Sequence, residues 1–419
     1  MTTPSNVTQH ETSPRATELL NEVWGGRLHD PYPAYTELRE MGDGVHWAEQ
    51  LQGYVVCRYA DVRQIGTDPT TFSSDTFFGS AASWHDGDNP EHVRFIDAAS
   101  RLFMFSDPPT HTRIRSTFRH AFTPQAIESW RPRVERITDE LIGRYEQGVE
   151  FNIMPGFAAD VPVAVIADLL GVPAEMRGEF RRWSYAYAST FDPVIQGPAR
   201  DQAIVDSLEL FDYLDGLVTQ RRAVPQDDLI TTVIETETVA GDHLVDGETV
   251  AQLALLLVAG NETTTTTIGT GLTLLFENPE ALDALRLDPS LIPDAVEEML
   301  RFDPPLHFVQ RKVTRDTIVG DHHIPAGTML FPCPPAANRD PRRFDDPEKF
   351  RLGRKDNKHL AFFHGIHFCV GAPLARMETQ VVFSHILNRF PDIRPGKEPA
   401  ERRASNSVAK GWISRPVIL

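Results

Sequence analysis

Residues 359–376 read HLAFFHGIHFCVGAPLAR. A single cysteine, Cys369, ends a loop rich in glycine and aromatic residues. A glycine, a proline and a helix-forming run (374–377) follow it. Free N–H groups at the start of a helix stabilise negative charge, so a thiolate placed there is favoured. Such a thiolate can ligate a metal without a second cysteine. Glycine at 365 and 371 points to a backbone packed closely against something flat.

Three readings of Cys369 compete. Lone cysteines are commonly small buried hydrophobes, and Cys57 and Cys333, inside apolar runs, fit that description. Zinc held by His364, His367 and Cys369 fails on ligand count, because a structural site needs four and no second Cys/His cluster is near. Haem iron is a metal held by one Cys thiolate, which favours O–O cleavage. The stretch alone does not decide between the first and third readings.

The remaining chain sets limits. Its 419 residues suffice for a large core, and no Gly/Ser linker or repeat divides them. A net charge of -18 argues against nucleic-acid binding. No apolar run approaches the ~20 residues of a membrane span, and the polar N-terminus lacks a signal-peptide core. Three cysteines without a pairing pattern suit a reducing cytoplasm. We therefore expect a cytoplasmic monomer with a flexible tail over 1–20 and one domain over 21–419.

The pattern is mainly helical with small peripheral β-sheets. Strand signals occur at GYVVCRY (53–59), at TIVGDHHIPAGTMLFPC (317–333), which reads as a hairpin, and at the C-terminus. A turn and short helix are expected within 29–42, and helices at 60–68 and over 124–239, the last broken at Pro155, Pro173, Pro193 and Pro225. The segment 69–109 reads as long and irregular, with Phe72, Phe77, Phe78, Trp84, Phe95, Phe103 and Phe105 scattered through it. Such a segment is commonly functional or disordered, though about half of these rings would serve as ordinary core.

Residues 248–276 form the long central helix. The run 253–259 is apolar nearly all round, which marks burial. Its middle nevertheless holds Gly260 and five threonines, Thr263 to Thr267, all poor helix formers. A local rule broken inside a buried helix marks a functional site. Gly260 leaves room beside the backbone for a ligand, and Glu262 and Thr263 supply an acid and a hydroxyl. A buried Glu262 needs a partner. His111 and Arg115, four apart, share a helix face and suit a pair of carboxylates.

Taken in order, these segments resemble the cytochrome P-450 superfamily, specifically its soluble bacterial members. The family's haem loop, F-G-x-G-x-H-x-C-x-G, is matched by Phe362 to Gly371 except at Phe363, where the family has glycine. Its E-x-x-R pair appears as Glu298 and Arg301, and its A-G-x-E/D-T-T as Ala259 to Thr264. Residues 107–124 resemble the segment that carries propionate ligands. The resemblance runs from about residue 30 to the C-terminus.

The resemblance implies haem b with Cys369 as axial ligand and the haem held by His111, Arg115, Ala259, Gly260, Arg311, His367 and Gly371. It implies Glu262 and Thr263 as the proton-delivering pair. Glu298, Arg301 and Arg354 would be a structural ion trio around the loop. The reaction implied inserts one atom of dioxygen into a C–H bond, with electrons from NAD(P)H through a separate ferredoxin and its reductase. Arg113, Arg119, Lys355 and Lys358 are candidates for a docking patch. The substrate would meet residues 72–105, a stretch that covers the substrate in the resembled family, together with residues 180–196, Ala254 to Thr263 and Leu306 to Val309. A terpenoid, polyketide or macrolide is expected, with a small aromatic or fatty acid as the alternative. A peroxide-driven or oxygen-independent enzyme, or a haem sensor or carrier, would be a different class. The intact Glu262–Thr263 pair argues against each.

Overall fold

A computed structural model describes residues 13–25, 28–76, 87–191, 195–240, 244–245, 247–403 and 410–419. Helices α1 (Pro14–Trp24), α2 (Tyr32–Glu40) and α3 (Tyr59–Thr67) alternate with strands β1 (Val45–Ala48), β2 (Gly53–Val56) and β3 (Phe72–Ser73). The middle of the chain is mostly helical. It holds α4 (Pro90–Ala99), α5 (Thr110–Ala121), α6 (Pro124–Ile142), strand β4 (Glu150–Asn152), α7 (Ala159–Leu169), α8 (Arg177–Thr190), α9 (Pro198–Ala223) and α10 (Leu229–Ala240). Then come α11 (Glu248–Glu277), α12 (Pro279–Leu287) and α13 (Ile292–Phe302), followed by β5 (Arg311–Val313), β6 (Thr317–Val319), β7 (His322–Ile324) and β8 (Met329–Pro332). The short α14 (Pro334–Ala337) and the long α15 (Ala372–Arg389) precede β9 (Arg394–Pro395), β10 (Glu401–Arg402), β11 (Trp412–Ser414) and β12 (Pro416–Ile418).

Proline opens many of these helices. Pro14, Pro90, Pro124, Pro198 and Pro279 sit in first turns, where a missing N–H forfeits no helical bond and φ is preset. Ser13, Asn89 and Thr123 add side-chain caps, accepting from the N–H groups of Ala16, Glu91 and Ala126. The expected breaks are only partly right. Pro173 and Pro225 do fall between helices, and Pro193 lies outside the described residues. Pro155 instead sits in a π-helical turn, Met154–Ala158, that runs directly into α7.

Three further expectations need correction. Residues 14–20 belong to α1, where Leu19 and Leu20 are buried, so no tail extends to residue 20. The segment 69–109 contains α4 and a 3-10 turn, Phe103–Phe105; Phe72 and Phe95 are core residues. Phe77, Phe78 and Trp84 lie outside the described residues. Finally, β6 and β7 pair as the expected hairpin, but β8 leaves it to lie between β2 and β5 in the sheet of order β1-β2-β8-β5-β3.

α11 organises the helical core. Its 30 residues span about 45 Å, and it packs against α7, α8, α9, α13 and α15. The threonines do not interrupt it. Thr263, Thr267 and Thr273 each donate a hydroxyl to the carbonyl one turn back, at 2.6, 2.8 and 2.9 Å, so buried hydroxyls are satisfied within the helix. Among the described residues no helix is long and apolar enough to cross a membrane.

Candidate functional site

The thiolate loop is tied down by its own backbone. The N–H of Cys369 donates to the Phe362 carbonyl at 3.0 Å, and that of Phe368 to Gly365 at 3.0 Å. α15 begins three residues after the cysteine, and the N–H groups of Gly371 and Ala372 lower the pKa of the thiol. Burial is the larger influence and leaves the thiol above its ordinary value. Cys369 keeps accessible surface.

Gly365 has φ 77°, and a Cβ there would lie 1.8 Å from the carbonyl oxygen of Gly66 at the end of α3. Its close neighbour is therefore protein backbone, not a flat ligand. Gly371 differs: a Cβ there would meet only the Cys369 sulfur, at 4.0 Å. Phe363 has φ 58°, a conformation that costs a non-glycine residue about 1–2 kcal/mol. The glycine of the resembled motif would adopt it without strain. The Phe363 ring is buried in the cluster that includes Val313, Leu330 and Leu360, and the Arg311 guanidinium lies 4.8 Å from its centroid.

Four polar side chains converge beside this loop. His111 and Arg115 share a face of α5, and the His111 ring lies 4.2 Å from that of His367. Arg115 donates to the carbonyl of Phe368. Arg311 enters from β5, is 5% exposed and donates to the Gln310 carbonyl at 2.7 Å. Burial lowers His111 to about 4 and His367 to about 2, and the neighbouring arginines act in the same direction. Burial likewise lowers Arg311 to about 10.

Neither nitrogen of His111 has a hydrogen-bond partner, nor has His367 Nε2. Among the described residues none of the four side chains is ion-paired. Asp107, the nearby acid, already accepts from Ser73 and Ser74. A buried arginine and orphaned imidazoles call for external acceptors, and two carboxylates of a haem would supply them. Arg113 does not join this group. It points away and pairs with Glu248 of α11 at 2.7 Å, which also removes it from the expected docking patch.

The centre of α11 completes the site. Residues 249–257 are buried, yet Ala259 is exposed and Gly260, Glu262 and Thr263 are half-buried. Glu262 has the partner its burial demands: Arg403, 141 residues away, at 2.6 Å. Asn261 donates to the Ser184 hydroxyl of α8 at 3.0 Å. Gln252 joins α11 to the loop side by accepting from the Phe103 N–H at 3.0 Å, and the Phe103 ring lies 6.0 Å from His111.

A family model described as Cytochrome P450 matches residues 88–288 and 290–410, well over half of the chain. The chain belongs to the cytochrome P450 family. This P450 is 37% identical over 391 residues to Cytochrome P450 107B1 of Saccharopolyspora erythraea, covering 93% of this chain and 95% of the relative. It is 35% identical over 408 residues to the Erythromycin C-12 hydroxylase of the same organism, with 96% and 94% covered. Among solved structures, CYP109B1 from Bacillus subtilis is similar with a TM-score of 0.81 and 34% identity, covering 93% of this chain and 100% of that one. The P450 is accordingly a monooxygenase of a haem-iron family.

Ion networks brace the loop. Glu298 accepts from both arms of Arg301 at 2.8 Å and from Arg354 at 3.1 Å, as the motif led us to expect of the trio's geometry. Sequence reasoning missed its neighbour, Glu297, which accepts from Arg376 at 2.6 and 2.9 Å and lies 3.2 Å from His359. Arg376 also covers the Phe362 ring at 4.5 Å. The one available signal was the position of Arg376 at the end of the opening stretch.

Proposed function

We propose that this P450 inserts one atom of dioxygen into a C–H bond of a small to mid-sized hydrophobic natural product, such as a terpenoid, polyketide or macrolide. Haem b, when bound, supplies the activation of dioxygen. Cys369 would hold its iron through the thiolate, which the N–H groups of Gly371 and Ala372 steady. His111, Arg115, Arg311 and His367 hold the propionates. The orphaned ring nitrogens of His111 and His367, beside the buried Arg311 that is not ion-paired among the described residues, are the observation that carries the reading. Ala259 and Gly260 leave room beside the α11 backbone. Glu262 and Thr263 hold and pass protons, with Arg403 orienting the Glu262 carboxylate. Glu298, Arg301 and Arg354 keep the loop in place.

Electrons come from NAD(P)H through a ferredoxin and its reductase. Of the cations considered for docking, Arg119 is exposed on α5, and Lys358 is exposed beside the loop with Asp356 3.4 Å away. A cytoplasmic monomer belongs to the same reading. The relative named Erythromycin C-12 hydroxylase and the half-buried Leu306 and Val309 support a bulky apolar substrate. Phe308 belongs elsewhere, its ring tilted against Trp24 in the N-terminal core.

The test is a compound screen by the haem spin-state shift, followed by turnover with ferredoxin, its reductase and NAD(P)H. Macrolides, polyketides or terpenoids should shift the spectrum and yield a product one oxygen heavier, with substrate-dependent oxygen uptake. Shifts confined to fatty acids and small aromatics would overturn the substrate class. Product formed with peroxide alone, and none with the electron chain, would overturn the reaction.

A further inference from the structure

We infer that Phe363 is a positioning residue: its ring is the platform that aims the buried Arg311 guanidinium toward the haem edge. The inference rests on the reading of Arg311 as a propionate partner. Two independent observations carry it. Phe363 occupies a left-handed backbone, φ 58°, that a bulky side chain adopts only when its surroundings hold it there. Glycine, present in the resembled motif, would satisfy that backbone better. The second observation is what the ring does in return. It is 7% exposed and lies 4.8 Å from the Arg311 guanidinium carbon, within the range at which a ring face attracts a cation.

Arg311 has little else to aim it. Its guanidinium donates to the carbonyl of the adjacent Gln310, and it is not ion-paired among the described residues. That single bond to a neighbouring carbonyl leaves the direction of the guanidinium to its packing. The ring supplies that packing on one side, and it does so across two elements, since Arg311 belongs to β5 and Phe363 to the thiolate loop. A glycine at 363 would relax the loop and leave the guanidinium without a surface.

The test compares Phe363→Gly, Phe363→Leu, Phe363→Tyr, Arg311→Ala and the double variant Phe363→Leu/Arg311→Ala. Two quantities are read on the full chain: the rate of haem transfer to an apomyoglobin acceptor, and the ferric/ferrous reduction potential. Leu keeps bulk and backbone strain but has no ring face, whereas Tyr keeps the face. Phe363→Leu and Phe363→Gly should release haem about 2- to 30-fold faster than wild type. Their potentials should fall, because a positive charge moves from the haem edge. Phe363→Tyr should match wild type in both. Adding Phe363→Leu to Arg311→Ala should change neither quantity further, which a purely packing role would not produce.

If Arg311→Ala loosens haem while Phe363→Leu behaves as wild type, the ring does not position Arg311 and the inference falls alone. If the double variant releases haem faster than Arg311→Ala, Phe363 acts by packing and the inference also falls. If Arg311→Ala itself retains haem as wild type does, the propionate reading of Arg311 fails and takes the inference with it.

Discussion

Thr263 donates its one hydroxyl proton to the Ala259 carbonyl at 2.6 Å, which leaves its oxygen lone pairs to accept from a neighbour. That arrangement suits a group that receives a proton from the Glu262 side and passes it on. Thr263→Ala should fold and keep haem, because alanine is the better helix former. Coupling should suffer: NAD(P)H consumption continues while product falls and hydrogen peroxide rises. Thr266→Ala is the control, since Thr266 is buried and packs toward Gly411. Peroxide assays during turnover check the pair, and fully coupled turnover by Thr263→Ala would move the relay to Glu262 and ordered water. The pair could be found in the sequence because its members are adjacent and sit where Gly260 and the threonine run break a helix rule. Arg403 could not, because nothing near residue 403 signals a carboxylate 141 residues earlier. Phe363 stood out by identity, but its left-handed backbone is a property of the folded loop.

At the scale of elements, α11 was legible almost to its ends: residues 248–276 were expected and Glu248–Glu277 is observed. A long apolar run carries that signal whatever its weak formers, since packing overrides propensity. The glycines within it record the packing. A Cβ on Gly271 would lie 2.4 Å from Phe383 Cζ and 2.6 Å from Met299 Sδ. Gly271→Ala should therefore destabilise by about 1–3 kcal/mol through overpacking, even though alanine favours helix. Thermal unfolding of the haem-loaded protein should show a melting temperature lower by a few degrees, and a higher one would show that the helix crossing has slack. Strand partners were less legible. β8 follows the hairpin in sequence yet pairs with β2, which lies far earlier in the chain, and alternation along a strand says nothing about which edge it joins.

Across the whole molecule, adjacent carboxylates on α13 hold both sides of the thiolate loop. Glu298 binds Arg301 and Arg354, while Glu297 binds Arg376 of α15 and faces His359. Asp303, next along, accepts from Tyr32, Arg402 and Thr270, joining α2, β10 and α11. Only the first of these networks had a local motif; the others link residues remote in sequence, beyond the reach of helical or strand periodicity. Their energetics have a pH signature. Burial alone would raise Glu297, but hydrogen bonds with His359 and Arg376 outweigh it and take the carboxyl from 4.5 down to about 2. A depressed folded value means the stabilisation is complete above 4.5 and is lost as pH falls toward 2. Wild type should therefore melt higher than Glu297→Gln at neutral pH, with the gap closing between pH 4.5 and 2. A gap independent of pH would mean that the network holds by shape and not by charge.

The proposal that Cys369 supplies the thiolate ligand of the haem iron is the point on which the four polar side chains and the bracing networks converge. The carbon monoxide complex of the reduced protein tests it most directly. Wild type should give the strongly red-shifted Soret band that thiolate ligation produces, and Cys369→Ser should lose that band whether or not it retains haem. A Cys369→Ser protein that keeps the red-shifted band would contradict the account.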